Sequence, residues 1–216
     1  KCGRAQQATT ANHTKGKQLR FPHKTAPNPR PPKFAIICNR NHASPHCRHC
    51  PARTAGALTQ PAQHTTMNIL LTGGTGYIGS HTATVLAQAG HQVVLFDNLS
   101  NSSITVLDRL ERITGQRLPF VQGDIRNTAL LETTLRQHGI QAVIHFAGLK
   151  AVGESAEKPI DYYANNVQGS ISLLQAMQAA QVYTLVFSSS ATVYGQPQYL
   201  PYDENHPTAA INPYGR

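Results

Sequence analysis

Residues 67–216 contain no cysteine, because all four cysteines of this 216-residue chain lie at Cys2, Cys38, Cys47 and Cys50. This absence excludes a disulfide framework from the larger part of the chain and fits the reducing cytoplasm. No apolar run approaches the roughly 20 residues that a membrane-spanning helix needs. The sequence therefore predicts a cytoplasmic protein that has no membrane partner.

Acidic residues are absent from residues 1–66, which hold 11 Lys and Arg and carry a net charge of +11. Residues 67–216 hold 8 Lys and Arg against 10 Asp and Glu, a net charge of −2. The overall charge of +9 therefore belongs to the first segment. The remainder has the charge of an ordinary enzyme domain, and we expect no nucleic-acid partner for it.

Residues 1–66 hold eight prolines and six histidines, and their one apolar run is Phe34 to Cys38. Such a composition buries too little apolar surface to offset chain entropy, so we expect a disordered basic extension. The first methionine is Met67, directly before the first predicted strand. We therefore interpret residues 1–66 as a non-native extension, with Met67 as the natural start.

Three functional interpretations of residues 1–66 are weaker. A zinc site is possible at Cys38, His42, His46, Cys47, His49 and Cys50, but a second CxxC pair at a finger-like distance is missing. A transit peptide would need an amphipathic repeat, which the prolines oppose. A nucleic-acid arm would carry interleaved aromatic residues. We therefore expect no metal.

A glycine-rich stretch follows an apolar run at Ile69 to Leu71, with glycines at 73, 74, 76 and 79. A helical pattern comes next, from Tyr77 to Gly90, and this order of strand, tight turn and helix is typical of dinucleotide binding. Gly73 suits a tight turn, Gly76 lets the backbone approach a pyrophosphate, and Gly79 lets the helix pack against the strand. The free N–H groups of the helix would face the phosphates. A ligand-free structural turn is the alternative.

Asp97 ends the second predicted strand, 92–96, and lies 24 positions after Gly73. An acid there is expected to bind the adenosine ribose hydroxyls. Because a carboxylate repels a 2′-phosphate and Asn98 follows instead of Arg, we predict NAD as the cofactor. The alternative is a strand-end Asp that caps the next turn.

Two further strands, 118–122 and 142–146, each end in small or polar residues. Asp124 and Ile125 follow the first, where an adenine would lie, although Asp124 is equally suited to starting the helix at 128–138. Small residues follow the second strand, and Lys150 is placed to reach a ribose or phosphate; a solvated lysine is the alternative.

A long helix is predicted over 159–180, and a fifth strand over 183–187 ends in a cluster of hydroxyls, 188–195. Asn165 and Asn166 are unfavourable in mid-helix, which suggests a hydrogen-bonding role. Hydroxyls at the carboxyl end of a parallel strand face the cofactor crevice. The pattern predicts an α/β fold, a Rossmann-type doubly wound parallel sheet.

Seven segments taken in order resemble the UDP-glucose 4-epimerase branch of the extended short-chain dehydrogenase/reductase family. They are TGGTGYIGSH (72–81), DNLSNS (97–102), GDIRN (123–127), HFAGLKAVGES (145–155), NNVQG (165–169), SSSATVYG (188–195) and PYGR (213–216). The resemblance covers all of 67–216 and none of 1–66.

This resemblance implies that bound NAD takes a hydride from C4 of a UDP-hexose and returns it to the other face. Tyr214 matches the base, Ser190 matches the hydroxyl that holds the sugar 4-oxygen, and Thr192 assists. The positions that match cofactor contacts are Gly73, Gly76, Tyr77, Ile78, Gly79, Asp97, Asn98, Asp124, Ile125, Phe146, Ala147, Gly148, Lys150, Asn165 and Ser188. The family is usually a homodimer through helices that include 159–180.

The chain departs from the family by ending at Arg216, two residues before the expected lysine and before the sixth strand region and C-terminal domain that the family needs. The resemblance therefore implies a sheet that is incomplete at its C-terminus, and we expect an inactive amino-terminal fragment. One alternative is a nucleotide-sugar 4,6-dehydratase, but such enzymes carry acidic residues where this chain has Ala191 and Thr192. The other is a non-catalytic NAD-binding module, which need not keep Ser190, Thr192 and Tyr214 together.

Overall fold

The computed structural model describes residues 34–37 and 65–216, which contain one six-stranded parallel sheet with the order β1-β6-β5-β2-β3-β4. Its strands are β1 (Phe34–Ile37), β2 (Asn68–Thr72), β3 (Gln92–Asp97), β4 (Phe120–Gln122), β5 (Ala142–His145) and β6 (Thr184–Ser188). The chain leaves β2 toward β3 and β4, then returns to place β5 on the other side of β2. This reversal confirms the predicted doubly wound sheet and opens a crevice at the ends of β2 and β5.

Helices cover both faces of this sheet. They are α1 (Tyr77–Gln88), α2 (Thr105–Thr114), α3 (Thr128–Gln137), α4 (Val152–Glu157), α5 (Pro159–Tyr162) and α6 (Gly169–Ala179). A π-helix, Tyr163–Gln168, joins α5 to α6, and a 3-10 helix, Ala191–Tyr194, follows β6. The predicted strand and helix boundaries agree with these to within a few residues, as expected where helix ends fray.

The core has two layers because successive side chains of a strand point to opposite faces. On β2, Ile69 and Leu71 pack in the cluster that contains Leu107 and Leu110 of α2. Leu70, between them, packs in the cluster that holds α3 and α6. Burial on both faces explains why β2 is an unbroken apolar run rather than an alternating one.

The helix predicted over 159–180 is divided into α5, the π-helix and α6. The division falls at Asn165 and Asn166, the two residues that helix propensity disfavours. Helix α4, just before it, was not predicted. A π-turn in an α-helix is common at functional sites.

Of residues 1–66, the structure describes only the strand β1 and residues 65 and 66. The backbone of β1 pairs in parallel with β6, with Phe34 opposite Leu185 and Ile37 opposite Ser188. At these four residues the structure therefore differs from the expected disorder. A strand-forming Phe-Ala-Ile-Ile sequence beside the unpaired backbone groups at the β6 edge accounts for the difference. The candidate zinc ligands Cys38, His42, His46, Cys47, His49 and Cys50 lie outside the described residues.

Within the described residues, the helices are too short or too polar for any of them to cross a membrane.

Candidate dinucleotide site and catalytic residues

The turn after β2 depends on Gly73, whose φ of +68° lies in the left-handed region. Its N–H donates to the carbonyl of Phe96 on β3 at 2.8 Å. A Cβ at Gly73 would lie 2.7 Å from the backbone nitrogen of Ala147. Only glycine therefore allows the turn after β2 and the loop after β5 to approach this closely.

Gly79 and Gly76 have different neighbours. A Cβ at Gly79 would collide with the carbonyl oxygen of Gly73, so the close approach is between the helix and the turn, not between the helix and the strand as predicted. A Cβ at Gly76 would contact only the Gly73 carbonyl oxygen, at 3.2 Å. The outer side of Gly76 is therefore open to a ligand. Such a cradle at the first turn of α1 fits a pyrophosphate.

A cavity of about 710 Å³ opens beside this turn. Its wall includes thirteen of the fifteen predicted cofactor positions, namely Gly73, Gly76, Tyr77, Ile78, Gly79, Asp97, Asn98, Ile125, Phe146, Ala147, Gly148, Lys150 and Asn165. Asp124 and Ser188 are not in the wall. Strands β2, β3 and β5 therefore bring most of the predicted set to one place, and the cavity volume lies in the range of cofactor sites.

Asp97 lies at the cavity wall and is held by several hydrogen bonds. Its Oδ1 accepts from the Leu99 N–H at 2.9 Å and from the Ser102 hydroxyl at 3.3 Å. Its Oδ2 accepts from the Thr75 N–H at 3.2 Å. The two interpretations of Asp97 are thus compatible, because the carboxylate caps the turn that follows β3 and also lies where a ribose would bind.

Asp124 makes a local ion pair instead of joining the cavity wall. Arg126 donates to both carboxylate oxygens, at 2.8 and 2.7 Å, and these bonds hold the pKa of Asp124 at about 2. The alternative role as a helix cap also does not hold, because Asn127 caps α3 by accepting from the Leu130 N–H at 3.1 Å. Its neighbour Ile125 reaches both the cavity and the core.

The π-helix supplies the hydrogen bonds predicted for the mid-helix asparagines. Asn166 accepts from the Leu149 N–H and donates to the Leu149 carbonyl, both at 2.8 Å. The Asn165 amide donates to Asn166 Oδ1 at 2.9 Å, and Asn165 lines the cavity. Next to Leu149, Lys150 lies at the cavity wall, where desolvation lowers the pKa of its ammonium although part of the side chain reaches solvent.

Ser190 and Thr192 lie together after β6. Their hydroxyl oxygens are 3.0 Å apart, and the Thr192 N–H donates to Ser190 Oγ at 3.2 Å. The turn that carries Tyr214 packs beside them, because a Cβ at Gly215 would lie 2.7 Å from the Thr192 carbonyl oxygen. The Tyr214 N–H donates to the buried Ser155 hydroxyl of α4 at 3.3 Å. The three predicted catalytic residues are therefore on adjoining segments, outside the cavity wall given above.

An aromatic cluster holds the chain between these segments. The rings of Tyr194 and Tyr202 stack with centroids 4.7 Å apart, and the His206 ring meets them nearly edge-on at 5.2 and 4.9 Å. His206 Nε2 accepts from the Gln198 N–H at 3.1 Å, and Nδ1 donates to the Pro207 carbonyl at 2.9 Å. One acceptor and one donor define a neutral imidazole.

Nine cavity residues were not predicted. Two of them, Glu154 of α4 and Tyr162 of α5, are joined by a 3.0 Å bond from the tyrosine hydroxyl to the carboxylate. Glu154 lies in the HFAGLKAVGES segment that resembles the family, and this could have marked it as a site residue. Tyr162 could not be told from a core residue by its sequence alone. The others are Phe96, Ser100, Asn101, Ser102, Gly123, Leu149 and Ala151.

Comparison with known proteins agrees with this geometry. A sequence model of the GDP-mannose 4,6 dehydratase family matches residues 70–216. The UDP-glucose 4-epimerase of Klebsiella pneumoniae is 55% identical over 139 residues, which are 64% of this chain and 100% of that relative. The chain belongs to the UDP-glucose 4-epimerase branch. The predicted resemblance is thereby confirmed.

Other members of the epimerase branch are longer than this chain. The UDP-glucose 4-epimerase of Neisseria meningitidis serogroup A is 57% identical over 149 residues, which cover 68% of this chain and 44% of the relative. The crystal structure of the Stenotrophomonas maltophila UDP-glucose 4-epimerase, with bound NAD and formylated UDP-arabinopyranose, aligns with a TM-score of 0.68 at 52% identity. It covers 69% of this chain and 44% of that one. The chain thus spans less than half the length of these two relatives.

Proposed function

We propose that this chain is the NAD-binding part of a UDP-glucose 4-epimerase, and that the complete protein interconverts UDP-glucose and UDP-galactose. The observation that carries the proposal is the placement of Ser190, Thr192 and the Tyr214 turn on adjoining segments in a fold with a dinucleotide-type cavity. A non-catalytic NAD-binding module would have no need to keep these three residues on adjoining segments. The membership of the epimerase branch supports the same activity.

The cavity is suited to NAD. The glycine turn leaves space that a Cβ would fill, and the N-terminus of α1 suits a pyrophosphate. Asp97 places a negative charge where a 2′-phosphate would lie, which favours NAD over NADP. NAD, when bound, supplies a hydride acceptor at its nicotinamide ring. Thirteen predicted contact positions line the cavity, and we propose Asp124 and Ser188 as outer contacts only.

In the proposed reaction, Tyr214 in its phenolate form takes the proton of the sugar 4-hydroxyl and becomes a neutral phenol. Ser190 holds the 4-oxygen by a hydrogen bond, and Thr192 steadies Ser190 through the 3.0 Å contact between their hydroxyls. A free tyrosine has a pKa of about 10, so a tyrosine base working near neutral pH needs a cation close by. The 4-keto sugar then turns over and regains hydrogen on its other face.

The test uses the complete protein with UDP-glucose, and it measures formation of UDP-galactose. Tyr214→Phe should lower kcat about 1000-fold and Ser190→Ala about 100-fold, with the NAD+ dissociation constant unchanged. Tyr183→Phe is the matched control, because Tyr183 is exposed and precedes β6. Formation of a 4-keto-6-deoxy product would favour the dehydratase alternative. Robust turnover by the 216-residue chain alone would contradict the expectation that this fragment is inactive.

A homodimer is proposed for the complete protein. Five large apolar residues along α5, the π-helix and α6 are exposed, namely Ile160, Tyr163, Val167, Ile171 and Leu174. Their spacing of three, four, four and three residues forms a helical stripe that a second copy would cover. Ile171→Glu should convert dimers to monomers, as measured by light scattering. Ile113→Glu on α2, where the side chain is also exposed, should not.

A cytoplasmic location is proposed from the cysteine-free sequence of 67–216.

A further inference from the structure

His145 is a buried histidine that has no assigned role. It ends β5, and its side chain is 4% exposed. It is absent from the cavity wall, yet the residues that follow it, 146–151, all line the cavity. The imidazole lies between the end of β2 and the first turn of α6, within hydrogen-bond distance of the Thr72 hydroxyl on one side and the Ser170 hydroxyl on the other.

The hydrogen bonds around His145 have a defined direction. Ser170 donates its only hydroxyl proton to the backbone carbonyl oxygen of Asn166 at 2.6 Å. His145 Nε2, 3.2 Å from Ser170 Oγ, must therefore donate to that oxygen. A neutral imidazole has one N–H, so Nδ1 accepts from the Thr72 hydroxyl at 2.6 Å. Burial keeps the imidazole neutral, because it lowers the pKa of His145 to about 4.

The chain of bonds reaches the cavity at both ends. Thr72 directly precedes Gly73, the residue on which the phosphate turn depends. Asn166, at the other end, binds both backbone groups of Leu149 and receives the Asn165 amide. The series Thr72, His145, Ser170, Asn166 thus runs from the glycine turn to the loop that presents Lys150. In the described residues, no buried side-chain nitrogen or oxygen is left without a hydrogen-bond partner, so this series is fully satisfied.

We propose that His145 is a positioning residue for the dinucleotide: its neutral Nε2–H tautomer fixes the glycine turn and the 148–150 loop at one spacing. The proposal rests on the proposed function, because it takes NAD as the molecule that spans these two walls. A directional chain acts as a unit. Breaking it at either end should therefore loosen both walls, and a second break should add little.

The test is a double-mutant cycle on the 216-residue chain with NAD+ as the probe. Thr72→Val and Ser170→Ala remove the hydroxyls at the two ends of the imidazole while preserving shape. Each should raise the NAD+ dissociation constant about tenfold, and the double variant should raise it little further. Thr134→Val is the matched control: Thr134 is 1% exposed and its hydroxyl bonds the Leu130 carbonyl at 2.7 Å, but it lies on α3 outside this series. Its NAD+ affinity should not change.

Two readouts do not depend on NAD. Nitrogen NMR should find His145 neutral with the proton on Nε2 at pH 7. Exchange of the Leu149 amide hydrogen should accelerate in Thr72→Val, although Thr72 does not touch Leu149, and it should stay unchanged in Thr134→Val. The proposal would be overturned if the His145 proton lies on Nδ1. It would also be overturned if the two substitutions multiply their effects on the NAD+ dissociation constant, or if the exchange rate of the Leu149 amide hydrogen is the same in Thr72→Val as in the wild type. Failure of the wild-type chain to bind NAD+ would count against the proposed function alone, since these two readouts would still decide the role of His145.

Discussion

The glycine-turn region, 68–150, and the hydroxyl region, 188–216, are built by different means. The first contains strands β2 to β5 and helices α1 to α3, and its glycine turn is held by backbone bonds such as that from Gly73 to Phe96. The second has only the 3-10 helix, and rings of Tyr194, Tyr202 and His206 hold it in place. Substitutions that add side-chain atoms at the glycine turn should therefore weaken nucleotide binding. Substitutions that remove ring atoms from the aromatic cluster should instead disturb the positions of the Ser190 and Thr192 hydroxyls.

Gly79→Ala should have the largest effect, because its Cβ would meet the Gly73 carbonyl and neither backbone segment can move freely. Overpacking of this kind destabilises by up to about 3 kcal/mol. We expect a loss of that size in the free energy of unfolding, measured with urea, and about a 100-fold weaker NAD+ affinity by calorimetry. Gly153→Ala in α4, where a Cβ would meet nothing within 4 Å, is the control. Equal losses of unfolding free energy and NAD+ affinity in the two variants would show that the close contact at Gly79 does not matter.

Acid should weaken the glycine-turn region through His145. Its pKa is lowered from 6.5 to about 4 in the folded chain, so the unfolded chain binds the proton more readily. The stabilisation is fully present above pH 6.5 and is lost as the pH falls to 4, which amounts to up to about 3 kcal/mol. Urea titrations from pH 7 to 4 would measure it. In His145→Asn this part of the pH dependence should vanish; an unchanged profile in that variant would assign the effect to other groups.

Substitutions at His206 test the hydroxyl region separately from the glycine-turn region. His206→Ala removes both the ring contacts and the partners of Gln198 N–H and Pro207 C=O, at about 2 kcal/mol. His206→Phe retains the ring and loses only the hydrogen bonds. In the complete protein, both should lower kcat, with alanine the more severe, and neither should alter NAD+ affinity. A change in NAD+ affinity would show that the two regions are not independent.

The smallest effect should come from Asp124. Its carboxylate is about one-third exposed and pairs with an exposed Arg126, so screening by water limits the pair to below about 1 kcal/mol. Asp124→Asn should change the urea midpoint slightly at pH 7. Because the pKa of Asp124 is lowered from 3.8 to about 2, the ion pair contributes above pH 3.8 and is lost as the pH falls toward 2. NAD+ affinity should fall at most twofold; a larger fall would give this carboxylate a direct role in binding the cofactor.

The glycine-turn region was predictable because its chemistry is local. Apolar runs give the strands, 3.6-residue spacing gives the helices, and the need for a positive φ identifies Gly73. Sequence distance alone placed Asp97 correctly at the cavity. Asp124 was ambiguous because its partner is its own neighbour Arg126, and no pattern separates a local ion pair from a ligand contact.

The hydroxyl region was predictable in identity but not in arrangement. Ser190, Thr192 and Tyr214 were proposed as catalytic residues through the family resemblance. The stacking of Tyr194 on Tyr202, in contrast, depends on contacts between residues in an irregular segment. The π-helix was missed because its backbone hydrogen bonds span five residues instead of the four of an α-helix, and apolar spacing does not resolve that difference. The asparagines gave the only signal, through the unfavourable position that they occupy.

The bonds of Asp97 bear on how such an enzyme would change its cofactor. Removing the carboxylate would admit a 2′-phosphate, but Leu99, Ser102 and Thr75 would each lose an acceptor at the same time. A successful switch to NADP therefore requires a second substitution that restores a cap to the turn after β3. The carboxylate that selects NAD therefore also stabilises the loop after β3. A single mutation that removes the carboxylate to admit NADP would also remove the acceptor that this loop needs.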